Sequence, residues 1–295
     1  MARPNVHIVA PTYQEPDHVE RFLLAWQPFL LPGDELIIVN ANPGDQSSKL
    51  IAAYAISENV DFKVIEIVGH PSEFWTGTIN RGLDYVQIEH GGQDLLYVTN
   101  IDVCPINDII KNCFKVAPKG ERFQVSPVFL DETGRAMSSG FRIISYIFAV
   151  MEHPFRNNDI SQIAASGSTR VDCCSTRGLL TTVAALKLAG VPDALSLPHY
   201  AADHEWSLRL KKSGFVPRIC HVARAEVARN NSGLQEAKIL TWRQRVNLLL
   251  SLKSSYNVKY RVKFVLLSFP KYSWATAILS LVLRALVQVA LLAKR

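Results

Sequence analysis

The chain of 295 residues lacks the short signatures that mark the commonest enzyme classes. It has no GxSxG elbow, no Walker lysine loop and no GxGxxG turn. Those absences exclude the usual serine hydrolase, phosphate-loop and dinucleotide-binding readings. Cysteine is scarce: Cys104, Cys113, Cys173, Cys174 and Cys220 make an odd five, and no two form the CxxC pair of a zinc site. They are expected to be reduced and structural. The eight histidines show neither HExxH nor HxH spacing, so a histidine-built metal site is not indicated. His221 alone, in a strand-like run late in the chain, is placed to reach a metal from the side opposite an acidic loop. The opening MARPNVHIVAPTYQE has no apolar run after its single arginine, which leads to the expectation of a cytoplasmic chain.

Charge of one sign is missing from the C-terminal end. Residues 241 to 295 contain no Asp or Glu and mix Lys and Arg with Leu, Val, Phe and Trp. The net charge of +6 suits nucleic acid, an anionic membrane or a phosphorylated ligand equally, so its distribution decides. The basic residues crowd the last third, without a stripe interleaved with aromatics and without a helix-turn-helix, zinc-finger or RNA-binding signature, so no nucleic-acid partner is expected.

What is present is an alternation. Apolar runs of strand length, VHIVA (6 to 10), ELIIVN (35 to 40), FKVIEIV (62 to 68) and DLLYVTNID (94 to 102), alternate with stretches long enough for helices at 17 to 30, 46 to 58 and 76 to 90. That is the βαβ pattern of a sheet covered by helices. The first strand ends in PTYQEPD, the second in NANPGD and the fourth in TNID, gathering polar groups where open α/β sheets bind ligands. Further on, QVSPVFLDETGRAM reads as a strand and turn, and VDCCSTRGLLTTVAALKLAGV as a strand, a loop at Ser175 to Gly178 and a helix closed by Gly190. The composition shift divides the chain into a catalytic domain over 1 to 235 and a basic, apolar helical region over 236 to 295.

Residues 274 to 292 are long enough to cross a bilayer, yet Thr276, Ser280, Arg284 and Gln288 form a narrow polar stripe along one helical face. A charge at a bilayer's centre costs roughly 2.5 to 3.5 kcal/mol. An amphipathic helix lying in the membrane interface accounts for stripe and charge together; a helix packed on the catalytic domain or on a second subunit, and a true span, are the other readings.

Two acids stand out. Asp102 ends the apolar strand at Asn100-Ile101-Asp102, where a carboxylate can help hold a divalent cation, or where it simply closes an Asx turn. Asp203, in LPHYAADHEWSLRLKKSGF, opens a helix either as its cap or as a base.

Taken together these segments resemble the family 2 glycosyltransferases of the bacterial rhamnosyltransferase type, inverting enzymes with the GT-A fold. The resemblance runs in order through APTYQE (10 to 15), IIVNANPGD (37 to 45), EFWTGTINRGLDY (73 to 85), VTNIDV (98 to 103), VDCCSTRGLLTTVAALKLAGV (171 to 191) and LPHYAADHEWSLRLKKSGF (197 to 215). It covers about residues 5 to 235 and implies a mixed, mostly parallel sheet flanked by helices, with the basic amphipathic helices appended. By this likeness Pro11, Thr12, Tyr13 and Glu15 line the nucleotide, Asn40 faces the base, and Asn80 and Arg81 approach the diphosphate. Asn100 lies beside the donor, Asp102 holds Mg²⁺ or Mn²⁺, and Asp203 is the base, with Glu205 supporting its loop. Three residues depart from the pattern: Asn40 stands for an Asp, Asn100 for the first acid of a DxD, and Cys173, Cys174 and Ser175 fill a loop where relatives have glycine.

The implied reaction transfers a hexose or deoxyhexose from a nucleotide-sugar donor to a glycan or lipid-linked acceptor in cell-surface polysaccharide or glycolipid synthesis, at the cytoplasmic face of the membrane. A nucleotidyltransferase would also use strand-end carboxylates, but its first loop is usually basic and glycine-rich, and PTYQEPD is acidic. A non-catalytic membrane-peripheral scaffold is the other alternative, which Asn100 permits.

Overall fold

The computed structural model describes residues 3–57, 60–118, 120–228, 247, 249–252, 254 and 257–291. The expected boundary near 235, and Arg243, Arg245, Lys294 and Arg295 of the basic segment, lie outside these residues.

Four parallel strands form the first half of a nine-stranded sheet: β1 (Val6–Thr12), β2 (Glu35–Asn40), β3 (Lys63–Val68) and β4 (Leu95–Thr99). They pair in the order β3-β2-β1-β4. Their connections carry α1 (Pro16–Trp26), α2 (Gln46–Ala55) and α3 (Phe74–Glu89). After β4 come β5 (Val103–Pro105), α4 (Ile109–Val116) and β6 (Phe123–Leu130). β11 (Gly178–Thr182) lies antiparallel between β4 and β6. β12 (Val216–Val227) then runs parallel to β6 and antiparallel to β5. The sheet is therefore mixed but mostly parallel along its first strands.

The period-2 alternation of strand side chains sorts the core into two layers. Val6, Ile8, Ala10, Leu36, Ile38, Leu95 and Tyr97 face α1, α2 and α4. Val9, Ile37, Val39, Leu96 and Val98 face α3, α5 (Val183–Ala189) and α6 (Ala202–Lys212). Strands buried on both faces read as continuous apolar runs, which is why ELIIVN and LLYVT carry no polar alternation. Gly82 lets α3 lie close on the sheet, since a Cβ there would come within 2.4 Å of Val9 Cγ1 and 2.9 Å of Val39 Cγ2. All five cysteines are free and buried, as structural cysteines should be.

A second, three-stranded sheet orders β10 (Cys173–Cys174), β7 (Gly140–Ser145) and β8 (Val150–Glu152), with β7 and β8 forming a hairpin. Among the described residues β9 (Ser168–Arg170) pairs with β12 alone. Against this second sheet and α6 pack α7 (Val258–Ser268) and α8 (Trp274–Leu291). Phe264, Val265, Phe269 and Ala277 share one buried cluster with Phe141, Cys173 and Leu208. Among the described residues no helix is long and apolar enough to cross a membrane, so α8 does not fit the spanning reading. Its polar stripe has a partner on the protein: Ser280 Oγ donates to Phe148 O at 2.8 Å, and Arg284 donates to the carbonyls of Phe148 and Ala149 at 2.6 and 2.8 Å.

Candidate active site

The carboxyl ends of β1, β2 and β4 collect the first group of sequence-predicted residues. Pro11 and Thr12 are buried in β1, and Tyr13 stands in the following loop, 46% exposed. The next residue, Gln14, adopts φ +56°, a conformation disfavoured for a side chain other than glycine, which turns the loop sharply into α1. Glu15 follows, its carboxyl pushed above the usual range by burial and by the charge of Asp102, with His18 pulling the other way.

Asn40 ends β2 fully buried. Its amide donates toward Asp45 (3.2 Å), Ser48 (3.0 Å) and Glu66 (3.1 Å), and its oxygen accepts from the N–H of Asn42 at 2.9 Å. Both ends of the amide are thus engaged in shaping the Asn42–Ser48 turn at the head of α2. An aspartate could not donate to Asp45 and Glu66; asparagine can, which gives the departure at this position a structural cause.

Asp102 follows β4, buried with 4% of its surface exposed. Its neighbour Asn100 accepts a hydrogen bond on its side-chain oxygen from the indole of Trp75 at 2.9 Å. Trp75 lies in the first turn of α3, whose start is marked by Phe74 at φ +52°. From there α3 is stapled to the loop that precedes α6. The backbone N–H and hydroxyl of Thr76 donate to Pro198 O (3.1 Å) and Leu197 O (2.7 Å), and Asn80 donates to Pro192 O at 2.8 Å. Trp75 also packs against the small cluster of Leu197, Ala202 and Tyr260. The loop bearing Asp102 and the helix bearing Asp203 are therefore joined through one tryptophan.

Asp203 sits in the first turn of α6 and does not cap it. The cap position is Ala201, at φ +66°, with no side-chain cap hydrogen bond. The carboxylate keeps 26% of its side chain exposed, 3.5 Å from His204 Nε2. Of the two roles open in the sequence, that geometry removes the cap. Glu205 is buried and paired with Arg209 through two 3.0 Å contacts, and Arg209 also donates to the carbonyls of Ala189 and Val191. Glu205 thereby braces the loop ahead of Asp203.

Not every predicted residue turns toward this end in the same way. Arg81 is held by Glu73 through two 2.8 Å contacts from its Nε, and Asn80 spends its amide nitrogen on Pro192. His221 has both ring nitrogens engaged, by Thr169 Oγ1 at 2.8 Å and Ser166 O at 2.9 Å, so it has no lone pair left for the metal role suggested by its place in the sequence. One residue the sequence reading did not single out comes close instead. The carbonyl of Arg177 accepts from Thr99 Oγ1 at 2.7 Å at the end of β4, and its guanidinium acts on Tyr200, three residues before Asp203.

The donor set at Asp102 fits a hard divalent cation. Asp102 is buried and Glu15 half-buried, the charge of Asp102 reaches Glu15, and oxygen ligands are what Mg²⁺ and Mn²⁺ prefer. A second cluster lies at the opposite, amino-terminal end of the strands, where His7, Glu35 and His90 meet. It suits a cation poorly as arranged: the two imidazoles stack with centroids 3.5 Å apart and planes 19° from parallel, so their in-plane lone pairs run alongside each other rather than converging. They share the carboxylate of Glu35, at 3.2 and 2.7 Å.

No protein-family profile and no curated protein sequence matches the chain. Solved structures do. A mannosyltransferase from Pyrobaculum calidifontis in complex with GDP-Man and Mn²⁺ superposes with TM-score 0.59 at 14% identity, covering 99% of this chain and 74% of that one. GalNAc-T7 with UDP, GalNAc and Mn²⁺ gives 0.60 at 12%, covering 94% and 54%. A 1–349 fragment of S. aureus TarS gives 0.53 at 13%, covering 98% and 83%. The chain has the fold of these proteins, the GT-A arrangement.

Proposed function

We propose that the chain is an inverting glycosyltransferase, moving a hexose or deoxyhexose from a nucleotide-diphosphate sugar to an acceptor hydroxyl. Its main support is Trp75, which bonds Asn100, two residues before the acid that follows β4, and packs against a cluster containing Ala202, the residue before the uncapped acid of α6. The mannosyltransferase and GalNAc-T7 were solved with nucleotide or nucleotide sugar and Mn²⁺, which favours a donor of the same class here.

In this reading the first loop, Pro11 to Glu15, and the turn organised by Asn40 form the nucleotide side of the cleft. Asn80 and Arg81 flank it from α3, and Asn100 lies beside the donor. Asp102, with Glu15, holds the divalent cation, which when bound neutralises charge on the leaving diphosphate. Asp203 accepts the proton of the acceptor hydroxyl as that oxygen attacks the anomeric carbon from the opposite side, which inverts the configuration. Its place in a helix turn braced by Glu205 and Arg209 fixes the carboxylate before the acceptor arrives, and such positioning supplies much of an enzyme's acceleration. The acceptor proposed is a glycan or lipid-linked glycan at the cytoplasmic face of the membrane, in cell-surface polysaccharide or glycolipid synthesis. Its support is the basic, acid-free segment from 241 to 295.

The test is the melting temperature of the purified chain against a panel of nucleotide sugars, with and without Mn²⁺ or Mg²⁺, repeated on Asp102→Asn. A metal-dependent rise with one donor, lost in the variant, is the expected result. Absence of any donor-induced shift under both metals would overturn the reading in favour of a non-catalytic scaffold.

A further inference from the structure

Amphipathic surface helices ordinarily turn their polar face to water and their apolar face to the protein. α8 does otherwise. Its inner face, with Ala277 and Ala285 fully buried beside Trp274, Ile278 and Leu281, packs on the protein. Its polar residues Ser280 and Arg284 are spent on the turn of the β7–β8 hairpin. Among the described residues the outward face carries Thr276 at its start and then an apolar row: Leu279, Leu283, Leu286 and Val287, at i, i+4, i+7 and i+8, are 60%, 51%, 46% and 56% exposed. The hairpin that Arg284 grips extends the same surface, because Ile144, Ile147 and Phe148 are exposed at its tip. Two elements far apart in sequence thus make one exposed apolar surface, larger than the scattered leucines of an ordinary monomer.

We propose that this surface, the outer face of α8 together with the 144–148 tip of the hairpin, inserts into the interfacial layer of an anionic lipid bilayer. The charge around it selects that occupant. Lys259 in α7 and Lys271 just ahead of α8 are exposed, Lys263 in α7 is half-buried, and no acid occurs anywhere from 241 to 295. On the hairpin, Glu152 is paired with Arg142, so the tip adds no net negative charge. A second copy docked face to face would bring the two basic segments together, whereas anionic headgroups would neutralise them. Tyr272, 76% exposed beside α8, is the residue type that settles at headgroup depth. At the interface Arg284 is held against the protein, with Nε donating to Ser280 O and one Nη to the carbonyls of Phe148 and Ala149.

The docking surface stands independently of sugar transfer; only its further consequence, that a lipid-linked acceptor meets the cleft on this side, rests on the proposed function. The test is flotation of the full chain with vesicles of phosphatidylcholine alone or mixed with phosphatidylglycerol. Binding to the anionic vesicles, weakened by salt and reduced roughly tenfold or more by Phe148→Asp and by Leu283→Asp, is expected. Ile56→Asp, at a site 84% exposed on α2's far end, serves as the control and should bind as the parent does. All four proteins are compared by melting temperature, so that unfolding is recognised. No flotation of the folded parent, or flotation unchanged in both variants, overturns the proposal. So does a concentration-dependent dimer, seen without vesicles and abolished by the same two substitutions, which assigns the face to a second copy. Donor binding, measured separately, distinguishes failure of this surface from failure of the catalytic reading.

Discussion

The indole N–H of Trp75 donates to the side-chain oxygen of Asn100 at 2.9 Å while the same side chain packs against the cluster of Leu197, Ala202 and Tyr260, whose Ala202 immediately precedes Asp203. This relationship gives the Asn at the first position of the Asn100-Ile101-Asp102 segment a role: a neutral acceptor holds the loop by its neighbour, and Asp102 keeps the only carboxylate of that segment. Trp75→Phe retains the ring and removes the donor. It is expected to lower stability by about 1 kcal/mol, the usual net value of one hydrogen bond, and to weaken Mn²⁺-dependent donor binding roughly tenfold. Titration calorimetry with donor and metal reads the second effect; a stability loss with unchanged affinity would confine Trp75 to packing.

Asp203 makes no cap hydrogen bond in α6, so its charge can be removed without unpicking the helix. Asp203→Asn should leave the melting temperature nearly unchanged, keep donor binding, and reduce kcat by at least the ~10²-fold typical of a general base. Retention of full turnover would rule out the role.

The four parallel strands were legible because each is an apolar run bounded by polar residues, and a strand buried on both faces needs nothing subtler. The mixed pattern of Gly140 to Glu152 hid the hairpin, since its partners, Cys173 and Phe264, come from distant segments. The stripe of Ser280 and Arg284 was readable as a stripe, but helical periodicity names a face and not what the face meets. The structure turns it toward Phe148 and Ala149 rather than toward headgroups. Gln288, the stripe's last member, has no described side chain. The candidate acids Asp102 and Asp203 were read from strand and helix ends. The staple through Trp75 and the approach of Arg177 depend on tertiary contacts that no local spacing encodes.

The stacked pair at the amino-terminal end of the sheet makes stability depend on pH. Burial holds the imidazole of His7 below its ordinary value of 6.5, the charge of His90 adds to the effect, and Glu35 and Asp94 oppose it. The folded state therefore binds this proton less readily than the unfolded chain, and stability falls as the pH drops below about 6.5 and through the folded value. Urea midpoints measured from pH 7.5 to 5 should decline less in His7→Gln than in the parent. Parallel slopes would show that His7 does not govern the decline.

Arg177 places a cation beside the end of β4. Its backbone is fixed twice, by Thr99 Oγ1 donating to its carbonyl and by Ser175 Oγ accepting from its N–H at 3.3 Å. The next residue is Gly178, where a Cβ would come within 2.3 Å of the Tyr97 hydroxyl, so β11 lies close against Tyr97 immediately after the arginine. Burial pushes the phenol of Tyr200 up, and the guanidinium of Arg177 draws it back. If the proposed donor site is right, a cation here would be available to a donor diphosphate beside the single carboxylate of the 100–102 segment. Charge-assisted bonds to phosphate are worth about twice a neutral hydrogen bond, so Arg177→Ala should raise the donor KM roughly ten- to a hundredfold. Arg177→Lys should recover part of that loss, because lysine restores the charge without the fork geometry. An unchanged donor KM combined with a raised acceptor KM would move Arg177 to the acceptor side of the cleft, where an anionic acceptor would be its partner.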